Sequence, residues 1–148
     1  MIAVDTNILI YAELPDQQDV RHGQSVRLLT IAALHGAILP LQVVGEFLNV
    51  CRTKKVLAAD VAVGRASLYF ETFDVIPTEP PDLIAAATLS ASRQLQYFDA
   101  LIITVAARAG ASVLLSEDMQ DGLVVAGLMV VDPFAPANAA RLAALFAA

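Results

Sequence analysis

Apolar residues along this chain follow two rhythms. Short runs of strand length recur at residues 2–4 ("IAV"), 37–41 ("AILPL"), 73–77 ("FDVIP"), 112–116 ("SVLLS") and 128–132 ("LMVVD"). Longer stretches between them carry helical spacing. Val26, Leu29 and Ala33 mark one helical face, and Val43, Phe47, Val50 and Cys51 mark a second. The segment "PPDLIAAATLSASRQL" opens on Pro81-Asp82, a helix-start signal, and the Ala-rich "DALIITVAARAG" stops at Gly110. Strands that are almost wholly apolar and alternate with helices predict α/β architecture: a central parallel sheet of about five strands, covered on both faces. No linker, repeat or low-complexity tract divides residues 1–148, which read as a single domain. An Ala-rich tail begins at Pro136, and in it Leu142, Leu145 and Phe146 form a small apolar stripe.

That architecture says where a ligand would sit. In open α/β sheets the crevice lies beyond the carboxyl ends of the strands, where strand order reverses. Asp5 ends the first strand, and Ser116 ends the fourth with Asp118 two residues on. If those two strands are neighbours at the reversal, both carboxylates project into one crevice.

Hydrophobic residues make up 57% of the chain and its mean hydropathy is +0.65. A membrane span would need about 18 or more consecutive apolar residues. The longest apolar stretch, "LLTIAALHGAILPLQVV", is broken by His35, Gly36 and Pro40. The apolar excess is therefore expected at a subunit or partner interface. Met1 runs directly into "IAVDTN", so no signal peptide is expected, and the lone Cys51 allows no internal disulfide. Both point to the cytoplasm. His22 and His35 have no companions at zinc spacing and read as surface or core residues. A net charge of −6 argues against a general nucleic-acid-binding surface, unless the acids gather where bound cations cancel them. Arg52, Lys54 and Lys55 cluster in "CRTKK", and no lysine follows Lys55.

Four acids then carry the candidate chemistry. Asp5 lies between two apolar runs, and a carboxylate buried there needs a cation or several donors. The competing reading makes it a turn residue, with Asn7 capping the next helix. Glu46 shares a polar stripe with Gln42 and Asn49, either a ligand-bearing face or simply a solvated one. Asp99 follows two aromatics and suits a helix N-cap, although one oxygen can cap while the other binds a cation. In "LLSEDMQDG", Glu117 is expected to face solvent and Asp121 to serve the turn at Gly122. Asp118, closest to the strand end on the inward side, is the ligand candidate.

Taken together these residues resemble the PIN domain, and specifically the VapC-type toxins of bacterial toxin–antitoxin modules. The resemblance covers nearly the whole chain and rests on "VDTNILIY", on Glu46 with Asn49 in "EFLN", on "FDALIITVAA", and on "LLSEDMQDG" followed by "LMVVDPF". It implies a Rossmann-like fold and a metal-dependent endoribonuclease. By matching position, Asp5, Glu46, Asp99 and Asp118 would line one pocket and hold Mg²⁺ or Mn²⁺. Thr6, Asn7, Ser116 and Asp121 match supporting polar positions. Phe98 stands where many relatives carry Trp. The resemblance also implies an RNA substrate and a cognate antitoxin protein, while the apolar content suggests a homodimer. Arg52, Lys54, Lys55 and Arg93 are candidate phosphate contacts at the pocket mouth.

The chemistry suits such a site. Hard divalent ions prefer oxygen ligands, and Mg²⁺ keeps several waters while using only one or two carboxylates directly. Four acids can hold one ion, or two about 3.5–4 Å apart around a scissile phosphate. Other acidic α/β sites fit less well. A haloacid-dehalogenase-type phosphatase needs a second Asp two positions after the first, where Asn7 stands. A receiver domain needs a late strand-end lysine, and none follows Lys55. The seven glycines fit neither nucleotide-binding fingerprint. A PIN-like interaction subunit without activity is the non-enzymatic alternative.

Overall fold

The structure, a computed structural model, describes residues 1–15 and 18–147. Strand β1 (Ile2–Val4) leads into α1 (Thr6–Glu13) and α2 (Arg21–Leu34). Then come β2 (Ile38–Pro40), α3 (Leu41–Thr53), α4 (Ala59–Thr72), β3 (Asp74–Ile76), α5 (Pro80–Arg93) and α6 (Tyr97–Arg108). The chain closes with β4 (Val113–Leu115), β5 (Val124–Val125), β6 (Leu128–Val131), a 3₁₀ turn (Pro136–Asn138) and α7 (Ala139–Phe146). The strands form one sheet in the order β3-β2-β1-β4-β6-β5. Strand β1 pairs in parallel with β2 on one side and β4 on the other. The chain thus winds outward in both directions from β1, and the β1/β4 boundary is where strand order reverses.

All residues of β1, β2 and β4 are buried, which explains their unbroken apolar character. The expected five strands are present. A sixth, the two-residue β5, folds back antiparallel on β6. Its hairpin turn, Ala126-Gly127, has positive φ at both residues (53° and 76°), as a two-residue hairpin turn of the I′ kind requires. Val75 and Ile76 are only half-buried because β3 is the sheet edge.

The helices show where apolar spacing misleads. In α2 the buried face is Ser25, Leu28, Leu29 and Ala32, so Val26, expected inside, stands in solvent. Helix α4 carries no clear periodicity in the sequence. It buries Ala62, Ala66 and Tyr69 but leaves Val61, Val63, Leu68 and Phe70 exposed, so apolar residues lie on every side. Phe47 of α3 meets Tyr69 of α4 edge-on at 5.4 Å, which seats the pair against the sheet. Helix α5 starts one residue before the expected signal. Glu79 and Asp82 form a reciprocal capping box there, with Pro80 and Pro81 in the first turn. Asp82 is also held by Arg108 at 2.8–2.9 Å, and Arg108 donates to the Pro77 carbonyl at 2.7 Å. That ion pair fastens α6 to α5. Leu142, Leu145 and Phe146 of α7 pack on the main core as the tail stripe predicts. No helix among the described residues is long and apolar enough to cross a membrane.

Candidate functional site

Register at the strand reversal brings the first and last acids to one crevice. Val4 pairs with Leu115, so Asp5 and Ser116 emerge side by side, and the Asp5 N–H donates to the Leu115 carbonyl at 3.0 Å. Ser116 Oγ donates to Asp5 Oδ2 at 2.6 Å, and the Thr6 N–H donates to Oδ1 at 2.7 Å. Asp5 is therefore the residue at the N-cap of α1, and Asn7 lies inside the helix. Asn7 does not cap. Its side-chain amide reaches across the crevice and donates to Asp118 Oδ2.

Glu46 comes from α3, which starts directly after β2. Thr6 Oγ1 donates to Glu46 Oε2 at 2.9 Å, linking it to the Asp5 turn. Gln42, one turn earlier, donates to Glu46 Oε1 at 2.6 Å and to the Phe98 carbonyl at 3.2 Å, so α3 is tied to the start of α6. Of the polar stripe on α3, Gln42 and Glu46 turn into the crevice and Asn49 is exposed. Asp99 stands in the first turn of α6 but does not cap it. Gln96 is the N-cap, its side chain accepting from the Asp99 N–H at 3.3 Å. The Asp99 carboxylate is left half-buried, and no hydrogen-bond donor among the described residues reaches it.

Electrostatics bind the four acids into one unit. Burial pushes Asp5 up to about 6, with Glu46 and Asp99 adding repulsion while the Ser116 and Thr6 bonds oppose it. Asp99 is raised by burial, then by Glu46 and Asp118. Asp118, at the exposed rim, is raised by loss of solvent on its inner side, then by Glu117 and Glu46, while Lys54 pulls the other way. Raised carboxyls clustered beyond strand ends mark a place where positive charge is wanted.

The donor set is all oxygen, which suits Mg²⁺ or Mn²⁺ rather than softer metals. Gln42 Oε1, beside Glu46, is buried without a hydrogen-bond partner, a further oxygen facing an unmet need. Among the described residues no three His, Cys, Asp or Glu side chains stand close enough to grip one ion together. The oxygen chemistry of these side chains remains compatible with Mg²⁺, which needs only one or two carboxylates directly.

The remaining candidates separate. Asp121 accepts from the Asp132 N–H at 2.9 Å and from Asn138 Nδ2 at 3.0 Å, tying the loop after β4 to the segment after β6. The backbone bond from Asp132 holds its carboxyl below the usual range. Lys54 and Lys55 line a groove of about 450 Å³ that opens beside Asn7, with Ile10, Leu14, Val50 and Val56. Arg52 lines a different groove, between α3 and α4. Arg93 ends α5, and among the described residues no hydrogen bond or ion pair joins it to the acids. Glu117, expected in solvent, is instead held by Tyr11 at 2.6 Å and Arg21 at 3.1 Å. Burial and Glu117 keep the Tyr11 phenol protonated to about 12, so it is the donor of that pair. Sequence spacing gave no hint of this contact, because Glu117 lies 106 positions from Tyr11 and 96 from Arg21.

With this geometry in view, comparison with known proteins is specific. The PIN domain family matches residues 2–120. The chain is similar to the crystal structure of Mycobacterium tuberculosis VapC20, a sarcin-ricin loop cleaving toxin. Identity is 20% and the TM-score 0.61, over 80% of this chain and 92% of that one. It is also similar to a chain of a toxin–antitoxin complex from Klebsiella pneumoniae, at 20% identity and a TM-score of 0.63, over 90% and 98%. At that identity the likeness is one of fold. No curated protein matches the sequence.

Proposed function

The chain belongs to the PIN domain family, and from that premise we propose that it is a metal-dependent endoribonuclease, the toxin of a VapBC-type toxin–antitoxin pair. The observation that carries this reading is the meeting of Asp5, Glu46, Asp99 and Asp118 at the strand reversal, coupled through Thr6, Asn7 and Ser116. Asp5, Glu46, Asp99 and Asp118 are the residues that would hold Mg²⁺ or Mn²⁺. When bound, such an ion supplies a more acidic water and Lewis-acid stabilisation of a leaving oxygen.

The chain's own residues prepare that chemistry. Ser116 and the Thr6 N–H fix both oxygens of Asp5, so its lone pairs keep one orientation. Thr6 and Gln42 do the same for Glu46 from two sides. Asp99, which no hydrogen-bond donor among the described residues reaches, would be the carboxylate to accept a proton from a nucleophilic water. Lys54, which already offsets the charge of Asp118, would meet an RNA phosphate arriving along its groove, with Lys55 beside it. Arg52 and Arg93, set away from the acids, would contact RNA farther from the cut.

A protein partner suits the surface. A groove of about 390 Å³ between α2 and α4 exposes Val26, Leu34 and Leu68. This apolar face is where an antitoxin segment would dock, and a homodimer would cover further exposed residues such as Ile84. The test is cleavage of RNA by purified protein with Mg²⁺ or Mn²⁺. EDTA should abolish it, and Glu46→Gln, Asp99→Asn and Asp118→Asn should each lower the rate at least a hundredfold, on the order expected for loss of a catalytic group. Metal-independent cutting would overturn the metal requirement, and no cutting by wild type with either ion would leave a PIN-like interaction subunit as the better reading.

A further inference from the structure

Glu117 and Asp118 are adjacent carboxylates that leave β4 toward different neighbours. Asp118 meets Asn7 in the crevice. Glu117 is clasped outside it. Tyr11, near the end of α1, donates its phenolic O–H to Glu117 Oε1 at 2.6 Å. Arg21, the first residue of α2, donates through Nη1 to the Tyr11 oxygen at 2.8 Å and to Glu117 Oε2 at 3.1 Å. Its guanidinium carbon also lies 4.4 Å from the centre of the Tyr11 ring. Phe134 meets that ring edge-on at 5.5 Å, so the aromatic plane is held from two directions. The other edge of Arg21 is filled by Asp19, at 2.9 Å from Nε and 2.7 Å from Nη2. With both edges of its fork engaged, Arg21 is poorly placed to receive a substrate phosphate.

We propose that Arg21 is a positioning residue for the divalent-ion site, acting through Tyr11 and Glu117 to fix the turn after β4 so that Asp118, and not Glu117, faces the crevice. The inference rests on the metal-centre reading above. Without the clasp, two neighbouring carboxylates would share one short turn, and either could swing toward bound positive charge. With it, Glu117 already has a cation, and Asp118 is the one left to find another. Supports of this outer kind commonly govern metal affinity by 10- to 100-fold.

The experiment is calorimetric titration of the full chain with Mn²⁺ alone, alongside melting temperatures in EDTA and in Mn²⁺. Arg21→Met should weaken Mn²⁺ binding about tenfold. Tyr11→Phe should weaken it less, and Arg21→Lys, which keeps the charge but loses the fork, should fall between Arg21→Met and wild type. Arg27→Met, an exposed arginine on the same helix, should bind as wild type. The rise in melting temperature on adding Mn²⁺ should shrink in the same order. A purely architectural role would instead lower both melting temperatures equally and leave that rise intact. Equal Mn²⁺ affinity in wild type and Arg21→Met overturns the proposal, as does weaker RNA binding with Mn²⁺ affinity unchanged. If Arg21→Met does not fold, Tyr11→Phe decides by the same criteria. Wild type that binds no Mn²⁺ at all would instead overturn the metal-centre reading beneath it.

Discussion

Replacing Asp5 by Asn should stabilise the metal-free protein at neutral and alkaline pH. Asp5 is 5% exposed, and burial raises its carboxyl from an ordinary 3.8 to about 6. That displacement corresponds to roughly 3 kcal/mol. The folded state favours the protonated form, so this stability is fully present below pH 4 and is lost as pH climbs through 6. At pH 8 the whole cost of a buried, crowded carboxylate falls on the native state. Asn is isosteric and stays neutral. Its carbonyl can accept from the Thr6 N–H, and its amide can donate to Ser116 once that hydroxyl turns. For a chain of this size, 3 kcal/mol amounts to about 6–12 °C, less whatever the rearranged Ser116 bond gives up. Melts of wild type and Asp5→Asn in EDTA, from pH 4 to 8, should therefore coincide near pH 4, separate as pH rises from 4 to 6, and stay a constant interval apart above 6, with the variant higher. Millimolar Mn²⁺ should raise wild type at pH 8 and leave the variant nearly unmoved, because only the folded carboxylate cluster binds the ion. If Asp5→Asn melts below wild type in EDTA at pH 8, Asp5 is a structural acid and the account of a strained pocket is wrong.

Other outcomes follow from the same geometry. Asp121→Ala should cost about 1–3 kcal/mol in urea melts at neutral pH, because the Asp132 N–H loses its acceptor and the buried Asn138 amide keeps only the Asp132 carbonyl. The Mn²⁺-induced melting shift should stay as in wild type, and a reduced shift would bring Asp121 back to the ion site. Lys54→Ala should reduce the slope of log affinity against log salt for RNA by about 1, measured with Ca²⁺ to suppress cutting. An unchanged slope would route RNA elsewhere. Leu34→Asp, in the groove between α2 and α4, should abolish co-purification with the cognate antitoxin while leaving RNA cleavage intact. Retained co-purification would move the partner to another face. Light scattering at micromolar concentration should give twice the monomer mass, and a monomer would remove the dimer.

Much of the fold was legible locally. Strands β1, β2 and β4 are buried on both faces, and full burial writes itself into sequence as unbroken apolar runs. Asp5 and Asp118 could be placed in advance, because a carboxylate ending an apolar strand can only lie at a crevice rim or be buried there at a cost. Helix α4 was illegible, since a helix with apolar residues on every side has no period to read. The phase of α2 was misread for a related reason: Ser25 lies buried while Val26 faces the groove beside α4. At Asp99 the sequence offered a helix cap, and the tertiary structure gives that cap to Gln96. At Glu117 it reversed the expectation. Local sequence can show that three acids crowd a turn, but not which cation each will meet. Strand order and helix packing bring Arg21 to Glu117 across 96 positions and Asn7 to Asp118 across 111. Burial is a property of a residue and its near neighbours, and so it leaves a periodic trace. Charge pairing is a property of two distant points, and only the folded chain brings them together.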